Sequence, residues 1–309
     1  MAPIKSSLAR TAAKLLGISN QRDLSLRGAV QSKRTPDEFA ATGGTVVTPG
    51  NGYRYHVFTS DGDFVVTGSA KNCEVLLVGG GGGGGSGGGG QTSGGGAGGV
   101  RFYPSLPISS GTYPVVIGQG GNHAPAYDSP GTKGGNSTAF GKTATGGGHV
   151  NYNYTTVANG GSGGGVSYNA SAGTGNAGGN DPDANPVSEG NNGGPGGGGG
   201  AGEAAVDATR GGNGLQFPNF TGPLIGQPSL NPYNGYYGGG GGAGYESADS
   251  TPGGLGGGGH GASRYGPNGT TATQGVDMLG GGGGGTSTES TTAAKPGGNG
   301  ICVVRYQPG

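Results

Sequence analysis

The sequence predicts a mainly β protein: a short N-terminal helical anchor, then a β-sandwich or jelly-roll-like core carrying a packed array of polyglycine-II helices. Three observations predict it. Glycine makes up 85 of 309 residues, in runs separated by short polar loops. Two apolar runs, Cys73–Val78 and Ile301–Tyr306, bracket those runs. Segments with period-two alternation precede the first run.

Glycine loses more backbone entropy on ordering than any other residue, at roughly 1–2 kcal/mol per residue fixed. With no side chain to bury, only the backbone can offset that cost. A polyproline-II-like chain has three residues per turn and no internal hydrogen bonds, so its N–H and C=O groups are free for neighbours. One such run alone is a linker. Runs at Gly79–Gly99 and around Gly146, Gly160, Gly193, Gly238, Gly253 and Gly280, closing at Gly297–Gly300, are numerous enough to stabilise one another as a sheaf.

Taken in order, residues 1–34 differ from all that follows. Leu8, Ala12, Leu15 and Leu16 fall at helical spacing, with Ser6 or Ser7 as a cap and Gly17 past the end. Arg10, Arg22 and Arg27 flank this stripe, and Leu24 and Leu26 follow it. A stripe of this kind at a terminus suits a membrane surface or a peg that docks into a larger assembly. The peg is the preferred expectation. Residues 35–52 read as a linker, punctuated by Pro36, Gly43-Gly44, Pro49 and Asn51-Gly52. Tyr53–Phe58 and Phe64–Thr67, joined through Asp61-Gly62, read as a hairpin. Cys73–Val78 is apolar on both faces except at Glu74, as an interior strand should be. Tyr113–Ile117 is a further strand, with Pro114 marking a start or an edge, and Ile301–Tyr306 is the last. Residues 53–309 thus form one glycine-rich domain.

The loops between the runs hold most of the tyrosines. A sheaf reverses at each loop, so the loops collect at its ends. Tyr152, Tyr154, Tyr168, Tyr233, Tyr236, Tyr237, Tyr245 and Tyr265 are the candidate binding residues. Tyrosine among Asn, Ser and Gly makes adaptable contact surfaces and stacks on sugar rings; the alternative is that each tyrosine staples its own loop to the sheaf.

Other chemistry is scarce. Net charge is zero and charged residues are 10%, which argues against a nucleic-acid or anionic-membrane surface. No 18-residue apolar span occurs, and the N-terminus lacks a continuous signal-peptide core. Phe140-Gly141-Lys142-Thr143 resembles the end of a phosphate loop, but Asn136 stands where its first glycine belongs. Sequons at Asn136, Asn153, Asn169, Asn219 and Asn268 are a composition effect. Cys73 and Cys302 are read as small buried hydrophobes, with a disulfide between them left open. No metal, cofactor or catalytic constellation is expected, and no enzyme activity.

The order of segments resembles one family. His56–Ser60, Phe64–Gly68, Glu74–Val78 before polyglycine, Gly111–Gly118, Gly135–Gly141 and Gly300–Tyr306 together look like the glycine-rich domain of bacteriophage tail-fibre and appendage proteins, over residues 53–307. The start, Lys5–Arg10 through Asp23–Gly28, is similar to leaders on structural proteins of marine phages. The resemblance implies a polyglycine-II sandwich on a virion, docked to other virion proteins through residues 1–34. Its loops would face a host surface glycan or protein. A capsid decoration or head-fibre role is the structural alternative. Fibres of this kind are commonly trimeric, yet no heptads are visible here, so a homo-oligomer stays open.

Overall fold

The computed structural model describes residues 38–86, 92–126, 129–150, 158–166, 171–205, 207–245, 251–262, 271–286 and 293–309. The anchor residues Leu8, Arg10, Leu15, Leu16, Arg22, Leu24, Leu26 and Arg27 lie outside them.

Among the described residues there are twelve strands: β1 (Ala40–Thr42), β2 (Thr45–Val47), β3 (Arg54–Phe58), β4 (Gly62–Thr67), β5 (Lys71–Val78), β6 (Val100–Ile108), β7 (Gly111–Val115), β8 (Ser137–Ala139), β9 (Lys142–Ala144), β10 (Leu215–Gln216), β11 (Tyr236–Tyr237) and β12 (Ile301–Tyr306). Five of them form one antiparallel sheet in the order β2-β3-β12-β5-β6, and three form another, β1-β4-β7. The two apolar runs of the sequence are direct neighbours, with Val303 opposite Leu76. Every residue of β12 is buried.

The period of two sorts each interior strand between two cores. Cys73, Val75 and Leu77 join Cys302, Val304 and Tyr306 against Phe64, Val66 and Val115 of the smaller sheet. Leu76 and Val78 point the other way, with Ile301, Val303, Tyr55 and Val57. That second face is covered by the segment between β10 and β11, whose 3-10 turns Pro218–Phe220 and Pro228–Tyr233 supply Phe220 and Leu230. The polar exception in β5 is paired: Arg305 Nη1 lies 2.7 Å from Glu74 Oε2, directly across the ladder. Its guanidinium also stacks 3.6 Å over the Tyr53 ring.

Residues 35–52 are not a linker throughout. β1 pairs with β4 and β2 pairs with β3, so this segment adds one edge strand to each sheet. Gly43 and Gly44 turn the corner between the sheets at φ +109° and +60°, a conformation that side chains resist. The Gly43 carbonyl then accepts a 2.8 Å hydrogen bond from His56 Nδ1–H, and Phe39 enters the first core.

Cys73 and Cys302 are free and buried. Cys302 sits opposite Leu77, four residues along β5 from Cys73, about 13 Å at ~3.3 Å per residue. Burial pushes both thiols up to about 12.

Beyond the sandwich the described residues of the glycine runs take neither helix nor strand form. Run 79–85 leaves β5 and is buried along its whole length. Its N–H groups donate in rotation. Gly79, Gly82 and Gly85 reach the carbonyls of Gly99, Gly96 and Ser93 (2.9, 2.9 and 3.1 Å); Gly80 and Gly83 reach Gly135 and Thr132 (both 3.0 Å); Gly81 and Gly84 reach Gly298 and Lys295 (2.9 and 3.0 Å). Its carbonyls at Gly80, Gly81 and Gly82 accept from Gly147, Gly121 and Gly283 (2.8, 2.8 and 2.9 Å). Three residues per turn is the polyproline-II geometry, and six surrounding runs satisfy this rod. Each acceptor on the three antiparallel runs steps back by three residues as the donor advances by three. The array is held by main chain alone at its centre.

Candidate functional site

The array has two unlike ends. At one end its rods run into the sandwich: Val78 into Gly79, Gly99 into Val100, Asn136 into β8, Gly214 into β10 and Gly300 into β12. At the other end, outgoing rods stop and incoming rods begin. Ser86 bridges both Ser129 and Thr286, and Thr251 bridges Gly261. Between them Thr92 N–H donates to the Gly244 carbonyl (2.9 Å), Tyr245 to Ala262 (3.1 Å), Ala262 to Gly285 (2.9 Å) and Thr286 to Gly85 (3.1 Å). These bonds hold the rod ends level with one another.

Side chains return at this level, because the lattice ends there. Ala124, Val150, Val166, Thr251, Ala262 and Thr286 are all buried. Thr92 Oγ donates to the Thr286 carbonyl at 2.6 Å. The described residues at the far end are therefore mostly small and β-branched, set over the rods. The outgoing ends at Ser86, Val150, Val166, Tyr245, Ala262 and Thr286 each precede a stretch outside the described residues.

Of the tyrosines proposed from sequence, Tyr152, Tyr154, Tyr168 and Tyr265 lie outside the described residues. Tyr245 is half-buried at the far end, where its N–H ties two rods. The other three belong to the sandwich end, which corrects their grouping. Tyr237 is 1% exposed, and its hydroxyl donates to the Phe220 carbonyl at 2.5 Å; burial raises its pKa. It is a core staple, not a loop contact. Tyr233 packs against the same core, and Tyr236 pairs with Gln216 in the short β10–β11 ladder.

Polar groups that sequence reading did not bring together, Lys142 of the rejected phosphate-loop match among them, gather on the sandwich flank. Arg101 and Glu189 are 2% and 0% exposed, with Nε 3.4 Å from the carboxylate. Arg101 donates to the carbonyls of Val187 (2.6 Å) and Gly179 (2.5 Å). Glu189 accepts from Thr145 N–H (2.9 Å) and Gly178 N–H (2.6 Å). Every partner but one is main chain, so the pair locks rods to β6. Lys142 lies 2.8 Å from Asp183 and 3.2 Å from Asp181, which raises the pKa of its ammonium, the Asp183 bond foremost. It edges a groove of ≈ 360 Å³ lined also by Tyr113, Pro114, Thr138 and Phe140. Phe140 holds φ +55° in the β8–β9 turn while its ring packs on Tyr113 and Phe64.

His56 is fully buried. A carbonyl only accepts, so Nδ1 carries the proton toward Gly43, and Nε2 faces the Tyr306 hydroxyl at 3.2 Å. Desolvation lowers its pKa, and the ring is neutral. Among the described residues no three His, Cys, Asp or Glu side chains gather where they could hold a metal ion. Among those residues no helix is long and apolar enough to cross a membrane.

A family model described as a glycine-rich domain matches residues 59–307. The match spans both bracketing strands and every glycine run between them, and the chain belongs to the glycine-rich domain family. No curated protein matches it.

Proposed function

We propose that this glycine-rich protein is a structural component of a bacteriophage particle, a tail-fibre or fibre-tip subunit that attaches to the host surface. Residues 1–34 dock it to other virion proteins, and the far end of the array faces a surface glycan or protein. The observation that carries the reading is the polarity of the array. One end is fused to a sandwich; at the other, rod ends held level by main-chain bonds precede the polar stretches that contain Tyr152, Tyr154, Tyr168 and Tyr265. A rigid base fixes the spacing of such segments without fixing their sequence, which suits binding to varied surfaces. The segment order that resembles phage appendage proteins supports the same reading, as does the apolar and basic stripe at the N-terminus.

The test is adsorption. Purified full-length chain, added ahead of phage to a susceptible bacterium, is expected to reduce adsorption in a dose-dependent way and to bind a subset of a bacterial glycan array. A chain that neither blocks nor binds, but whose removal makes particles fragile, would instead assign it the purely structural role of a capsid decoration.

A further inference from the structure

The sides of the array carry a second device. The central rod 79–85 satisfies its N–H groups with main-chain carbonyls throughout. A rod at the rim cannot do so, because threefold geometry aims some of its N–H groups where no neighbouring rod exists. In the rim segment 173–178, which turns at Asn176 (φ +57°), Gly173, Asn176 and Ala177 donate to the carbonyls of Gly164, Gly161 and Gly160 (3.0, 2.8 and 2.9 Å). The three remaining N–H groups meet side chains: Thr174 to Asn159 Oδ1 (2.7 Å), Gly175 to Asn192 Oδ1 (2.9 Å) and Gly178 to Glu189 Oε1 (2.6 Å). Rod 118–124 repeats the pattern. Gly121 and Ala124 reach Gly81 and Gly84. Gly120 and Asn122 reach Asn299 Oδ1 (2.9 Å) and Thr132 Oγ1 (2.7 Å). Elsewhere on the rim Gly146 is met by Asn136, Leu255 by Asn213 and His260 by Thr273 (2.9, 3.0 and 2.8 Å).

We infer that the amide and hydroxyl oxygens among these, though not the buried Glu189 carboxylate, stand in for the carbonyls of absent rods, and that by doing so they close the sides of the array to a second copy of this chain. An uncapped rod presents N–H groups at the three-residue repeat that a glycine rod of another copy matches. It is the array's equivalent of an open sheet edge, which proteins otherwise blunt with charges or bulges. The caps recur because each rim rod needs one wherever the lattice stops. Three of them share a local pattern: Asn136, Asn213 and Asn299 each follow Gly-Gly and stand just before a strand.

The experiment compares the intact chain with Asn159→Ala/Asn192→Ala, which uncaps Thr174 and Gly175. Asn159→Asp/Asn192→Asp keeps both acceptors and serves as the control. Light scattering behind size exclusion, across a hundredfold range of concentration, reads the mass. The alanine pair is expected to rise above the parent's mass with concentration, at least doubling, while the aspartate pair tracks the parent. Thr132→Val, which keeps the volume and loses the acceptor of an exposed bond, makes the same test on the other rim and decides it should the alanine pair not fold. Folded variants that hold the parent's mass at every concentration would overturn the inference, as would association of the aspartate pair equal to that of the alanine pair.

Discussion

Replacing Gly82 with alanine adds one methyl group to the rod at the centre of the array. The Cβ would point at the Gly148 carbonyl and sit at least ~1.3 Å inside ordinary contact. Run 145–150 would have to withdraw by that amount. It is bonded to its surroundings by Gly147 N–H to Gly80 (2.8 Å), Gly96 N–H to Gly148 (2.9 Å) and Gly148 N–H to Ser162 (2.8 Å). Stretching such bonds by that much takes them past useful range. A buried group left unpaired costs about 1–3 kcal/mol, so losing two of these bonds costs about 2–6 kcal/mol. For a domain of this size that is a fall of roughly 5–20 °C in melting temperature. Two other Gly→Ala changes separate the causes. Gly62 has no positive φ, and its Cβ would meet the Phe58 ring at 3.6 Å, an ordinary contact; alanine there is neutral or gains about 0.5 kcal/mol. Gly141 has open space but φ +71°, so alanine costs about 1–2 kcal/mol from backbone strain alone. Thermal and urea unfolding of the three variants should rank Gly62, Gly141, Gly82 from mildest to worst. Equal melting temperatures for Gly62→Ala and Gly82→Ala would refute main-chain packing as the source of order.

Tyr237→Phe removes a buried bond and orphans the Phe220 carbonyl, so it should cost about 1–3 kcal/mol in urea unfolding while leaving adsorption blocking unchanged. Arg101→Met leaves the Glu189 carboxylate buried beside two N–H donors and should destabilise by about 3–5 kcal/mol, again by urea titration. His56 has a lowered pKa in the fold, so the unfolded chain binds its proton first. Stability should be complete above pH ~6.5 and fall as pH drops below it toward the folded value, by up to ~1.4 kcal/mol per pH unit. Melting curves from pH 7.5 to 5 should show that fall in the parent and a shallower one in His56→Gln.

Much of the fold was legible because the strongest signals are the ones geometry obeys. An apolar run with no alternation means burial on both faces, and β5 and β12 are the interior strands that Cys73–Val78 and Ile301–Tyr306 announce. Even the exception at Glu74 is informative, since an interior carboxylate needs the partner that Arg305 provides. Three parts were hidden. β1 and β2 are three residues each, too short to show a period, and the glycines between them read as linker although they are a corner. β6 contains Pro104 and Pro107, which argue against a strand, yet its neighbour in the sheet is β5 alone and the edge tolerates them. The β10–β11 insertion places Leu215, Phe220, Ile225 and Leu230 in the second core at irregular spacing, so no periodicity marks it as buried.

The candidate site was less legible, and the tyrosines show why. Composition places Tyr233, Tyr236 and Tyr237 beside Tyr245, since all four stand in polar stretches next to the same glycine run. What separates them is direction. Run 238–244 starts at β11 and heads away from the sandwich, so the residues before it are at the base and the residue after it is at the far end. Direction along a rod is set by which neighbours it bonds, and every glycine run looks alike. The non-glycine residues at the rim carry that information instead. Asn299 caps Gly120 and Asn136 caps Gly146, each joining the end of an incoming rod to the start of an outgoing one at the sandwich. A chain whose interior has no side chains must therefore write its topology on its perimeter, and the asparagines after Gly-Gly are where it is written. Exchanging Asn136 and Asn299 for alanine together should thus misplace two rods at their roots, and amide exchange should quicken first at Gly120 and Gly146 and then along their runs, while the bonds of the central rod 79–85 open last. Exchange that quickens uniformly across the array would show that the rim caps carry no such instruction.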